Sequence, residues 1–141
     1  MPETVFWDTS AFVALGNADD SLHGQAVQVS DALGQQKAYI LTTSAVLTGV
    51  ANTFSKSAWR SVAHHLLESI RQSVAMGLAT VVHVDTALWE RGWALFVARP
   101  DKDWGLTDCI SFVVMQDRRV ARAFSSDHHF DQAGFKRLVE L

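Results

Sequence analysis

The chain has 141 residues, the size of one ordinary domain, with a hydrophobic fraction of 48% and a charged fraction of 19%, so it can bury a core without disulfides or a structural metal. No apolar run reaches the roughly 18 to 20 residues needed to cross a bilayer, which excludes a membrane span. Twelve Lys+Arg against fifteen Asp+Glu leave a net charge of −3, which excludes capture of nucleic acid by bulk electrostatics and requires that any RNA be handled at a local site.

No repeat, low-complexity tract or Pro/Gly/Ser-rich linker divides the sequence, and its two prolines stand at Pro2 and Pro100. A single domain over residues 1–141 is expected. Cys109 has no second cysteine to pair with, and Met1-Pro2-Glu3-Thr4 carries neither a basic stretch nor an apolar signal core, so the expected compartment is the reducing cytoplasm. The five tryptophans are expected in core and interface packing before base stacking.

In chain order, Thr4-Val5-Phe6-Trp7 has strand chemistry and runs into Asp8-Thr9-Ser10, with a helix from Ala11 to Leu15 capped near Thr9 or Ser10. Leu22, Ala26, Val29 and Leu33 recur at spacings of three or four, one buried helical face that Gly34 is expected to end. Tyr39-Ile40-Leu41 is a second strand, followed by the cap-rich Thr42-Thr43-Ser44 and a helix over about Ala45 to Phe54. Ser57 to Ala75 is a long amphipathic helix with Trp59, Val62, Leu66, Ile70 and Val74 along one side.

Thr80 to Val84 is the third strand; Asp85 is the expected cap of a helix reaching about Val97, and Arg99-Pro100-Asp101 breaks it. Thr107 is the expected cap of a deeply buried helix from Asp108 to about Arg118. Ala121 to Ser125 is the fourth strand, and the stretch around Lys136 to Val139 suggests a turn and an edge strand. Strands alternating with helices predict an α/β fold in three layers, α/β/α, around a parallel sheet of four to five strands.

In an open parallel sheet ligands bind beyond the carboxyl ends of the strands, where Asp8, the Thr42–Ser44 turn and Asp127 fall. Asp108 adds a carboxylate in the first turn of a helix, where the dipole favours an anion. Carboxylates gathered within a few ångströms repel unless a cation neutralises them, and hard oxygen ligands suit Mg²⁺ or Mn²⁺. Such an ion activates water and offsets charge on a phosphate. Taken one at a time, Asp8 is a helix cap, Asp108 a dipole partner and Asp127 a turn former; their joint placement carries the metal reading.

Asp8-Thr9-Ser10-Ala11-Phe12, Leu106-Thr107-Asp108-Cys109-Ile110-Ser111-Phe112 and Ser125-Ser126-Asp127-His128-His129-Phe130, in this order, resemble the PIN-domain family over nearly the whole chain. At this size the chain is similar to the VapC-type toxins of bacterial toxin–antitoxin modules. The resemblance implies a PIN-like fold, a Mg²⁺- or Mn²⁺-dependent endoribonuclease whose catalytic and metal-binding residues are Asp8, Asp108 and Asp127, an RNA substrate, an antitoxin protein as partner and a homodimer.

One departure stands out. The family places a glutamate in a segment reading Thr-Thr-Ser-Ala-Val-Leu-Thr-Glu-Val-Ala-Asn, where this chain has Thr42-Thr43-Ser44-Ala45-Val46-Leu47-Thr48-Gly49-Val50-Ala51-Asn52. A glycine inside a helix costs roughly 1 kcal/mol relative to alanine, so helix stability does not explain Gly49. The expectation is a folded protein of reduced activity, and the rival reading is a catalytically silent PIN-fold protein that binds RNA or a partner without cutting. Asp103 is a candidate fourth acid, ahead of Asp101; Thr9 and Thr107 are candidates for orienting carboxylates or water. Arg99, Lys102 and Arg118 are candidate phosphate contacts.

His64-His65 and His128-His129 lack the Cys/His spacing of a zinc site, and adjacent histidines on a helix are expected to point apart, so zinc is disfavoured. Cys109 among apolar neighbours is expected to be a buried thiol rather than a nucleophile. Neither a Gly-x-Ser-x-Gly elbow nor a Walker-type loop occurs, which disfavours hydrolase triads and nucleotide switches. A phosphoacceptor receiver domain would need a further acidic pair near the N-terminus and a late lysine at the site, and neither is evident.

Overall fold

A computed structural model describes residues 2–140. Its strands are β1 (Thr4–Trp7), β2 (Tyr39–Thr43), β3 (Ala79–Val82), β4 (Arg122–Phe124) and β5 (Lys136–Arg137). Its helices are α1 (Thr9–Gly16), α2 (His23–Gln35), α3 (Ser44–Thr53), α4 (Arg60–Ala75), α5 (Thr86–Ala98), α6 (Leu106–Asp117) and α7 (His129–Gln132), with a 3₁₀ turn at Ser57–Trp59 before α4. The five strands lie in the order β3-β2-β1-β4-β5, and every neighbouring pair is parallel. This is the expected α/β/α architecture, with the edge strand β5 included.

β1 is central, with β2 on one side and β4 on the other. A strand covered on both faces reads as a continuous apolar run rather than an alternation, and Val5, Phe6 and Trp7 are all buried. From β1 the chain winds outward through β2 and β3, then returns to build β4 and β5 on the opposite side. The winding therefore reverses between β1 and β4, the place beyond the strands' carboxyl ends where open α/β sheets bind ligands.

α6 is buried without interruption from Cys109 to Met115, as its lack of a polar face predicts. Phe112 links it to the sheet side of the core through edge contacts with Trp104 and Phe130, both at 5.1 Å between ring centroids. α5 lies against α6 at Gly92, where a β-carbon would collide with Ile110. That close approach requires glycine at this position.

Several local expectations shift. Gly34 lies within α2; the reversal falls at Lys37, which takes the left-handed φ of 55°. Thr107 is not a cap, because α6 starts one residue before it with Gly105 in the cap position. Of the stripe along α4, Ile70 is buried and Val62 and Leu66 are half-buried, whereas Trp59 and Val74, at its ends, are exposed. Trp7 and Trp104 are core residues, but Trp59, Trp89 and Trp93 lie on the surface. Trp89, Trp93 and Phe96 stack in sequence along α5. Asp85 caps α5 as expected, accepting the Leu88 N–H at 2.8 Å.

Candidate active site

Asp8 follows β1 directly, and its N–H donates to the Phe124 carbonyl at 3.1 Å, which ties the end of β1 to the end of β4. Its carboxylate does not cap α1. Instead Oδ2 accepts from Ser125 Oγ at 2.9 Å and from Ser10 Oγ at 3.2 Å. Asp8 is only 5% exposed. Burial pushes its carboxyl up to about 6; the Ser125 hydroxyl and the Thr9 backbone oppose the rise, and the charges of Asp108 and Asp127 add to it.

The same two hydroxyls organise the loop after β4. Ser125 Oγ accepts the Asp127 N–H at 3.0 Å, and Ser10 Oγ accepts the Ser126 N–H at 3.1 Å. The two serine oxygens are 3.1 Å apart. Residues from the start of α1 and from the end of β4 are thereby joined around one buried carboxylate.

Asp108 occupies the first turn of α6 and accepts the Gly105 N–H at 3.0 Å. Glycine offers no side chain in return, so only the carboxylate half of a capping box exists. Burial raises the Asp108 carboxyl above its ordinary range and the Asp127 charge adds to this, while Gly105 and His129 pull it back. His129 Nδ1 lies 3.1 Å from Asp108 Oδ2 and 3.3 Å from Asp127 Oδ1, so one imidazole spans the two acids. His128 Nδ1 is 3.7 Å from the same Asp127 oxygen.

Asp8, Asp108 and Asp127 therefore converge at the reversal between β1 and β4. Each of Asp127, His128 and His129 offers one ligand atom within 4.8 Å of the others, and Asp8 and Asp108 stand outside this tightest group. His128 and His129 do not point apart: their ring centroids are 4.6 Å from one another, and both face Asp127. The reason is that His128 precedes α7 and only His129 lies in it, so the geometry of a continuous helix does not apply.

Of the supporting candidates, Thr9 lies at the site. A β-carbon at position 49 would be 3.3 Å from Thr9 Oγ1, so a side chain there would start beside the residue next to Asp8. Thr107 contributes its carbonyl to Ser111 Oγ at 3.0 Å. Asp103 is exposed on the loop before α6 and, among the described residues, hydrogen-bonds to none of the three acids. Arg99 is paired with Asp101 at 2.9 Å and lies over the Trp104 ring. Cys109 is buried, and burial raises its thiol, in keeping with a structural role.

Sequence reasoning passed over Ser10, Ser125 and His129 as site residues. Their signal was the crowding of hydroxyls and an imidazole around Asp8 and Asp127, which turn and cap propensity explained equally well. The donor set suits a divalent cation: burial and neighbouring negative charge make Asp8 and Asp108 reluctant to ionise unless positive charge is brought to them.

The PIN domain family pattern matches residues 5–136. The chain is 32% identical over 134 residues to the 23S rRNA-specific endonuclease VapC20 of Mycobacterium tuberculosis, in strains CDC 1551 and H37Rv alike, covering 93% of this chain and 95% of the relative. The crystal structure of M. tuberculosis VapC20, described as a sarcin-ricin loop cleaving toxin, superposes with a TM-score of 0.82 at 28% identity, over 94% of this chain and 96% of that one. With its parallel sheet reversing at β1 and its acids gathered at that reversal, the chain belongs to the PIN-domain family.

Proposed function

We propose that this protein is a divalent-metal-dependent endoribonuclease of the VapC toxin type, with Asp8, Asp108 and Asp127 holding Mg²⁺ or Mn²⁺. The observation that carries the reading is the convergence of these three carboxylates at the reversal between β1 and β4, with Asp8 held at a pKa of about 6 by burial and by its acidic neighbours. When bound, the cation supplies Lewis-acid stabilisation of phosphate charge and a more acidic water. The protein's own residues hold the ligands in place. Ser125 and Ser10 fix the Asp8 carboxylate by two hydroxyl donors, and His129 bridges Asp108 and Asp127. Ribosomal RNA, the substrate class in the relative's name, is the first to test, and an antitoxin protein and a second copy of this chain are the expected partners.

Gly49 supports a second reading, a silent PIN-fold protein that binds without cutting. A glutamate at 49 would begin 3.3 Å from Thr9 Oγ1, a contact that a small shift of the threonine relieves. Cleavage of ribosomal RNA is measured with Mn²⁺, Mg²⁺ or EDTA for this chain, Gly49→Glu, and Gly49→Glu with Asp8→Asn. The nuclease reading expects at least tenfold faster cleavage in the single variant, lost in the double variant and in EDTA. Three folded proteins that bind RNA with no cleavage in any condition would favour the silent binder.

A further inference from the structure

We infer that the protein self-associates through the solvent-facing side of α5, which packs on the same side of α5 in a second copy. The inference rests on the reading of a second copy as partner and adds the surface. Trp89, Trp93 and Phe96 follow one another at helical spacings of four and three, and their rings stack almost parallel, with centroids 5.8 Å and 5.4 Å apart. Each ring is still at least 40% exposed, and Val97 beside them is 57% exposed. Stacked on one another, the rings are held in a ridge before any partner arrives, so little side-chain freedom is lost on binding. The other side of the helix is already covered, with Leu88 and Gly92 buried. A helix that is apolar on both sides is one that is covered on both.

Charge and area select the second copy. Within α5 only Glu90 and Arg91 are charged, and Arg91 is taken by Asp117 through two hydrogen bonds of 2.6 Å and 2.8 Å. A face with no cation to spare cannot grip RNA phosphates, and it offers nothing to an oppositely charged peptide. It suits an isologous contact, in which each copy meets its own patch and any net charge would face its like. The relief matches too. On the helical period the rings form one row and the exposed Ala87, Ala94 and Ala98 a low row beside it. A two-fold axis running along the helix sets the ring row of each copy over the alanine row of the other. At about 150–250 Å² for a fully buried aromatic side chain, the three rings leave roughly 200–300 Å² exposed. Val97 and the alanines bring the patch to roughly 400 Å², about half of the ~800 Å² that one partner of a standard interface buries. That is the apolar centre of such an interface, which a polar rim completes.

Sedimentation equilibrium is run on the intact chain, Trp93→Glu, Val97→Glu and Met76→Glu, and circular dichroism checks the fold of each. The two α5 substitutions put a charge where the copies meet, and Val97→Glu, at the more exposed position, keeps the test open should Trp93→Glu fail to fold. Met76, 65% exposed just after α4, is the apolar control away from α5. Expected is a species of twice the 15.6 kDa chain. Its dissociation constant should rise at least tenfold in each α5 variant and stay within about twofold in Met76→Glu. Diluting the intact chain through that constant is expected to shift tryptophan emission to the red as Trp89 and Trp93 gain water. A monomer at about 100 µM, well above the µM to pM range of standard interfaces, overturns the inference and removes the second copy as partner. A dimer that Val97→Glu leaves intact, or one whose dissociation leaves the emission unmoved, overturns the surface alone. Each of these results leaves the nuclease reading to the cleavage assay with Gly49→Glu and Asp8→Asn.

Discussion

Asp8 shows how burying one ionisable residue costs stability. Its carboxyl has an ordinary value of 3.8 and is raised to about 6 in the fold. Between those values the folded state keeps a proton that the unfolded state has released, so stability falls as pH rises through the window and stays reduced above it. At 1.36 kcal/mol per unit, the full shift corresponds to about 3 kcal/mol. Asp8→Asn is therefore expected to stabilise the metal-free protein by up to about 3 kcal/mol at pH 7.5 and by little at pH 3.5, as read by urea unfolding. An equal effect at both pH values would remove ionisation as the cause. In cleavage assays the same variant is expected to be inactive.

Among the elements, the α5–α6 pair holds the site in place, because α6 carries Asp108 and is buried along Cys109–Met115. It approaches α5 closely at Gly92, where an added β-carbon would meet Ile110 side chain and backbone. An alanine in a helix ordinarily gains roughly 0.5–1 kcal/mol over glycine; here overpacking is expected to reverse the sign, with Gly92→Ala destabilising by about 1–3 kcal/mol. Thermal melting checks this, and Ile110→Ala, which removes the Cγ1 that the new β-carbon would meet, should cost less in the Gly92→Ala background than in the intact chain. Full additivity of the two substitutions would show that the helices are not in contact there.

A cation held by the three carboxylates, as proposed, would couple its binding to folding of the whole molecule, because they come together only in the folded sheet. A cation that binds the folded state alone stabilises it by about 2.7 kcal/mol at a hundred times its Kd. Mn²⁺ is expected to raise the melting temperature at pH 7.5. The gain should shrink below pH 6 as Asp8 takes up its proton. Scanning calorimetry with and without the ion at both pH values checks this, and a shift independent of pH would place the ion elsewhere on the surface.

Much of the architecture was legible in the chain order itself. The run Val5-Phe6-Trp7, the cap-rich Thr42-Thr43-Ser44 and the largely apolar helix behind Asp108 each carry a local signal, because strand and helix periodicity is written in neighbouring residues. Asp8, Asp108 and Asp127 were legible as candidates because each stands at a strand end or in a first helical turn. The exposure of Trp89 and Trp93 was not, since a helix of mixed composition does not say which face another element covers. Nor were the roles of Ser10, Ser125 and His129, whose meaning depends on partners across the fold: Ser10 and Ser125 meet 115 positions apart, and His129 reaches back 21 positions to Asp108. The sequence alone determined the alternation of strands and helices and the acids at their ends, because these are local properties, whereas Gly49 stood out only against the segment of the family it resembles. Only the tertiary structure decided that β1 lies between β2 and β4, and with it which hydroxyls and imidazoles surround the acids, because strand order is set by how the whole chain buries its apolar faces.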